Sequence, residues 1–165
     1  MQCFNNFREA AVQETVSPVY IGRTGENKVG LMINVDWGEE IIPRILEVLA
    51  TEKVPVTFFV TGRFAEKQPE LVNKMAELGH EIGNHGYSHP HADKLSKEEN
   101  QKEIQKAEAA LIKAGVEPKK YFAVPYGEKK EHVIAAAEEL GYKVIYWTLD
   151  TVDWQEPSPK TIIKR

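Results

Sequence analysis

The stretch VGLMINVDWGEEIIPRILEVLATEKVPVTFFVTG, residues 29–62, reads as strand, helix, strand, and it decides the fold class. VGLMINV (29–35) is a short apolar run of the kind buried on both faces of a parallel sheet. Ile41, Ile42, Ile45, Leu46, Val48 and Leu49 then recur at helical spacing, and PVTFFV (55–60) returns to the β-branched and aromatic composition of a strand. The alternation continues toward the C-terminus. Pro69 suits a helix start, Leu71, Val72, Met75 and Leu78 form its apolar face, and Gly79 ends it. HEIGNH begins a third strand. Ser96 and Glu99 form a capping box, and the helix behind it buries Ile104, Ala107 and Leu111 before stopping near Gly115. YFAVP (121–125) is a fourth strand, Val133 to Leu140 a helix ended by Gly141, and YKVIYWTL (142–149) a fifth strand. Ser158-Pro159 opens one more helix. Residues 1–28 are weakly patterned and read as an arm or short hairpin, with Gly22 and Gly25-Glu26-Asn27 as turn signals.

Strands that alternate with helices imply parallel pairing and right-handed crossovers. No glycine fingerprint follows the first strand, so a nucleotide-binding open sheet gains no support. The expectation is an α/β fold of the β/α barrel type. Five strands cannot close an eight-stranded barrel, so this one is incomplete, smaller or distorted.

The chain has 165 residues, 42% hydrophobic and 28% charged, which fits one globular domain. Its formal charge of -4 disfavours non-specific nucleic-acid binding, which needs clustered Lys and Arg. A lone cysteine, Cys3, excludes an internal disulfide and any CxxC motif. No apolar run is long enough for a membrane span. The N-terminal residues lack an apolar signal core, so no signal peptide is expected in this chain.

Unusual polar and aromatic residues fall at or just after strand ends. Asn34, Asp36 and Trp37 accompany the first strand; His85, His89 and His91 follow the third; Pro125, Tyr126 and Gly127 follow the fourth; Asp150, Asp153 and Trp154 follow the fifth. In a parallel β/α fold these ends share one face, where barrel enzymes place their sites. His85 and His89 stand in a His-x3-His spacing that brings two imidazoles to one ion, and a strand-end carboxylate would make three ligands with open positions. Zinc in such a site acidifies water for attack on a carbonyl; Fe(II) would run oxygenase chemistry. The βαβ alternation favours hydrolysis. The bland reading is a polar loop with hydrogen-bonded histidines. His80 and His132 read as structural or exposed, and His91 as a solvent-facing loop residue. Trp147 reads as core. Trp37 and Trp154 suit either the face of a sugar ring or packing within their own loops. Lys129-Lys130-Glu131 reads as a solvated helix start.

The order of INVDWG, TFFVTG, GHEIGNHGYSH, PYG and LDTVDW resembles the polysaccharide deacetylases of carbohydrate esterase family 4, the NodB homology domain. The likeness runs from about Val29 to Trp154. The INVDWG form is similar to the sporulation-associated branch of spore-forming bacteria. The resemblance implies a deformed (β/α)7-type barrel carrying a divalent metal, zinc foremost with cobalt, nickel or manganese as alternatives. It implies removal of N-acetyl groups from chitin-like or peptidoglycan sugars, and with that substrate an extracytoplasmic or cell-wall location. It places Asp36, His85 and His89 on the metal, the backbone amide of Tyr126 in the oxyanion hole, and Trp37, Pro125, Tyr126, Asp153 and Trp154 along the substrate cleft. Asp36 and Tyr126 are the catalytic candidates.

Three departures from the family pattern stand out. The first motif should hold two carboxylates, one for the metal and one as base. In either register only Asp36 remains, with Asn34 at the other position when the strand is counted from Thr57. The Arg that pairs with the base is replaced by Ala123. No histidine follows His132, so the late Leu-x-His motif is absent. Ile162-Ile163-Lys164-Arg165 reads as a helix cut short, which predicts a domain over 29–165 truncated at its C-terminus and an uncovered barrel edge open to self-association. The expected function is a metal-dependent N-deacetylase with weak or impaired turnover. The alternatives are a deacetylase-like glycan- or metal-binding protein without turnover, and an interaction domain.

Overall fold

A computed structural model describes residues 18–22, 25 and 28–164. Five strands alternate with helices: β1 (Met32–Val35), α1 (Ile42–Glu52), β2 (Thr57–Val60), α2 (Gly62–Lys67), α3 (Pro69–Glu77), β3 (Glu81–Asn84), α4 (Lys97–Lys113), β4 (Tyr121–Phe122), α5 (Glu131–Glu139), β5 (Lys143–Val144) and α6 (Pro159–Ile163). The strands form one parallel sheet in the order β1-β2-β3-β4-β5. That sequential order separates a barrel wall from a doubly wound sheet, whose order reverses at a switch point. The wall is not closed among the described residues, since β1 and β5 are its two edges. Val19 pairs in parallel with Ile145 and extends the β5 edge. Most of the expected N-terminal arm, including Cys3 and Glu26-Asn27, lies outside the described residues.

The alternation of side chains assigns the two faces. Val35, Val60, Asn84, Phe122 and Val144 stand in one register row and face the helices. Val35, Phe58, Val60 and Ile82 pack with Leu46, Phe64, Val72, Met75 and Leu111 in one buried cluster. Phe122, Val124 and Val144 pack with Ile104, Val133 and Ala137 in a second. Complete burial of a side chain such as Val72 or Met75 stabilises by about 1.5–3 kcal/mol. On the opposite face Asn34, Phe59 and Gly83 share a row. A Cβ on Gly83 would come within 2.7 Å of the Phe59 ring, so a glycine there lets the ring lie flat across β3.

The helix starts follow their sequence signals. Pro69 sits in the first turn of α3. Both halves of the Ser96–Glu99 capping box are formed at α4. The strand ends differ from expectation. YFAVP and YKVIYWTL supply only two ladder residues each. Beyond Phe122 the chain turns through Pro125–Gly127, and beyond Val144 only Ile145 makes an isolated bridge. Helix α2, between Thr61 and Pro69, had no sequence signal of its own because six residues are too few to show a period.

Candidate active site

The C-terminal ends of β1, β2, β3 and β4 carry the candidate site. The helix α2 begins where β2 ends, and its first backbone amides tie it to the histidine loop. The Gly62 N–H donates to the Gly86 carbonyl at 2.9 Å and the Arg63 N–H to the Tyr87 carbonyl at 3.0 Å. That loop is held from below by α4. One Glu103 carboxylate accepts the Tyr87 N–H at 3.0 Å, the Ser88 N–H at 2.8 Å and the Ser88 hydroxyl at 3.1 Å. Asn84 fixes the loop entrance, its Oδ1 accepting the Gly86 N–H at 2.8 Å and its amide donating to the Ile104 carbonyl at 2.9 Å.

His85 is buried, and its Nδ1 lies 2.8 Å from the Ala123 carbonyl. A carbonyl can only accept, so Nδ1 carries the proton and Nε2 keeps a lone pair. Burial pushes the His85 imidazole down to about 4, against the opposing effect of the Ala123 hydrogen bond. His89 is half-buried in a left-handed backbone conformation (φ 56°), and burial lowers it too, against the attraction of Asp36. Their rings meet edge to face at 4.9 Å. Tyr126 touches the other side of His89 at 4.7 Å, and His91 stacks on Tyr126 at 4.2 Å while its Nδ1 lies 2.8 Å from Glu128 Oε1. Tyr126 is left-handed as well (φ 59°), and among the described residues its N–H has no protein acceptor.

Asp36 leaves the end of β1 and meets a cation supplied by the chain. Its Oδ1 accepts the Thr61 hydroxyl at 2.9 Å and the Arg63 Nε–H at 2.6 Å; its Oδ2 accepts from Arg63 Nη2. Burial resists ionisation of Asp36, but the hydrogen bonds from Arg63 and Thr61 outweigh it and hold the carboxyl below its ordinary range. One turn further along α2, Lys67 Nζ reaches Glu39 at 2.5 Å and ties the same β1 loop a second time.

For a divalent ion the donor chemistry is right: two neutral imidazoles and a carboxylate. The placement is not. Both Asp36 oxygens are engaged, and among the described residues no three His, Cys, Asp or Glu side chains converge as a group able to hold an ion. The residues as placed do not fit a resident metal.

The structure brings His85, His89, Tyr126 and His91 together and sets Asp36 within electrostatic reach of both His85 and His89. Asn34 is exposed on β1, Ala123 is fully buried beside His85, and Pro125 is buried below Gly86. Trp37 and Trp154 are two-thirds exposed, and Asp153 accepts the Thr151 hydroxyl at 2.8 Å within its own turn. No hydrogen bond or ring contact among the described residues joins these three to the histidine cluster. Sequence reasoning missed Arg63, Thr61, Glu103 and Glu128. Thr61 and Arg63 did carry a signal, for they directly follow the end of β2, on the face where the site was expected.

The model of the family described as polysaccharide deacetylase matches residues 21–145. The chain belongs to the polysaccharide deacetylase family. It is 40% identical over 139 residues to a peptidoglycan-N-acetylglucosamine deacetylase of Bacillus cereus, covering 82% of this chain and 50% of that protein. It is 37% identical over 149 residues to the uncharacterized protein YlxY of Bacillus subtilis, covering 90% and 46%. Among solved structures it superposes on a CE4 family pseudoenzyme from Bacillus anthracis with a TM-score of 0.86 at 34% identity, covering 91% of this chain and 53% of the other. The chain thus spans about half the length of the curated relatives it matches. The α/β wall described above is an incomplete form of the family's (β/α) barrel.

Proposed function

We propose that this chain is a glycan-directed N-deacetylase of the polysaccharide deacetylase family whose hydrolytic step is impaired. The observation that carries this reading is the state of the acids at the end of β1. Asp36 is committed to Arg63 and Thr61, and an amide, Asn34, stands two residues earlier, where the strand period places its side chain on the same side. The site therefore holds no carboxylate free to take a proton from water. General acid–base assistance is typically worth about 10²–10⁴ in rate.

Other parts of the machinery fit acyl chemistry on a sugar. An acceptor-free Tyr126 N–H is a donor placed where an oxyanion would develop, beside the two imidazoles. The exposed rings of Trp37, Tyr126 and Trp154 offer flat apolar faces to pyranose C–H groups. The substrate class is a peptidoglycan or chitin-like glycan bearing N-acetyl groups, consistent with the activity named for the Bacillus cereus relative and with a cell-wall location. A divalent ion, zinc foremost, is the cofactor that the family resemblance implies.

A second reading, binding without turnover, is favoured by the same Asp36–Arg63 pair and by the likeness to a pseudoenzyme. A mutant of that pseudoenzyme has restored enzymatic activity. Acetate release from N-acetylglucosamine oligomers separates the two. Slow release that Asn34→Asp accelerates supports the impaired enzyme. Retention on insoluble peptidoglycan, with no acetate from either form, supports the binding protein.

A further inference from the structure

Asp36 has 14% of its side chain exposed and stands just past the end of β1. A carboxylate so placed needs a cation. Among the described residues neither His85 nor His89 supplies a hydrogen bond to this carboxylate. Arg63 does, through a two-pronged contact that matches the planar fork of a guanidinium to both carboxylate oxygens. The position is not accidental. Arg63 follows the strand-end residue Thr61 by two, and its backbone N–H is tied to Tyr87 in the histidine loop, so the guanidinium is anchored to β2 and to the loop at once. Half of the Arg63 side chain is exposed, which leaves it room to swing away from Asp36 without disturbing the core.

We propose that Arg63 is a tethered competitor for the Asp36 site: its guanidinium takes the carboxylate that a divalent ion would share with His85 and His89, so the chain binds such an ion weakly until Arg63 is withdrawn. The inference rests on the deacetylase reading only in naming the imidazole pair as the other ligands. It assigns Arg63 a role in ion affinity and none in proton transfer.

Cobalt(II) is the probe, because it follows zinc-type donor sets and reports its ligands by visible absorption. Equilibrium dialysis of the intact chain against Co(II) is compared across variants, with circular dichroism checking each fold. Arg63→Met removes the charge and keeps most of the stem. Breaking a charge-assisted contact of this kind frees Asp36 by enough to raise Co(II) affinity about tenfold or more. Arg63→Gln gives the same direction should the Met variant fold poorly. Arg63→Lys falls between, because an ammonium lacks the fork. Asp36→Asn added to Arg63→Met returns the affinity to the wild-type level. Equal Co(II) affinity in wild type and Arg63→Met, both folded, overturns the proposal. Failure of the hydrolytic reading looks different: Co(II)-loaded Arg63→Met that binds tightly yet releases no acetate leaves the competitor role standing and removes the enzyme. Wild type that binds Co(II) tightly through Asp36 and releases acetate at ordinary enzyme rates removes the competitor role and leaves the enzyme.

Discussion

The indole of Trp147 occupies the space in which a side chain on Gly127 would stand. A Cβ on Gly127 would lie 2.8 Å from the Trp147 Cη2, and Gly127 itself has φ 63°. The aromatic residue that follows β5 thus clamps the turn that presents the Tyr126 amide, with the neighbouring Tyr146 hydroxyl donating to the Glu128 carbonyl at 2.6 Å. Gly127→Ala is expected to destabilise the chain by more than the roughly 1–2 kcal/mol of left-handed strain alone, because the ring must also move. Thermal unfolding checks this. In Trp147→Leu the same Ala substitution should cost less, since the obstructing ring is gone.

Glu103 reaches from α4 to three donors of the histidine loop. Removing it strands backbone amides that are part-buried, at about 1–3 kcal/mol for an unsatisfied group. Glu103→Ala is expected to lower stability and to speed hydrogen exchange at Tyr87 and Ser88 selectively. Uniform exchange throughout the chain would show that Glu103 does not hold the loop.

His80 lies in the core under β2, where the Val56 N–H donates to its Nδ1 at 3.4 Å and Phe58 meets its ring edge-on at 5.3 Å. Burial lowers its pKa from 6.5. Above pH 6.5 the imidazole is neutral in both folded and unfolded chains and contributes no pH dependence. As the pH falls through 6.5 the unfolded chain binds a proton that the folded chain refuses, so stability declines until the lowered folded pKa is reached. Urea unfolding at pH 7.5 and 5.5 should show this loss, and His80→Asn should reduce it. His85 and His89 are lowered in the same direction and supply the remainder.

Ser96→Ala removes one half of the capping box on α4, the helix that carries Glu103 and Ile104. The expected cost is about 0.5–2 kcal/mol by denaturant unfolding. Ser96→Asp should largely restore the loss, because a carboxylate caps the same amides.

The wall of the barrel was legible from residue 29 onward because its strands are continuous apolar runs and its helices keep a clean 3.6 period. Gly79, Gly115 and Gly141 take positive φ just past the ends of α3, α4 and α5. Length was misread at β4 and β5. VP and YW continue the apolar composition after the ladder has ended, and composition alone cannot tell a paired residue from a packed turn. Trp147, expected in the core, is only partly buried and packs over the Pro125–Gly127 turn.

At the site, the histidine loop and Tyr126 were visible as motifs; His91 is solvent-exposed, as its loop position suggests, and also stacks on Tyr126. Arg63 escaped notice for a physical reason. A single Arg on a helix is ordinarily a solvated charge, and nothing local in sequence reveals that the acid 27 residues earlier faces it across a parallel strand pair. Substrate-lining roles for Trp37, Asp153 and Trp154 are proposals of the family resemblance, since no hydrogen bond or ring contact among the described residues joins their side chains to the histidine cluster.

The Asp36–Arg63 pair is most directly tested by nitrogen-15 NMR of the Arg63 Nε–H while zinc is added to one equivalent. The account expects a slowly exchanging Nε–H signal that disappears in Asp36→Asn and is unmoved by zinc in the wild-type chain. A signal that shifts or vanishes at one equivalent, together with changes at His85 and His89, would mean that the ion takes Asp36 from the guanidinium, and would contradict it.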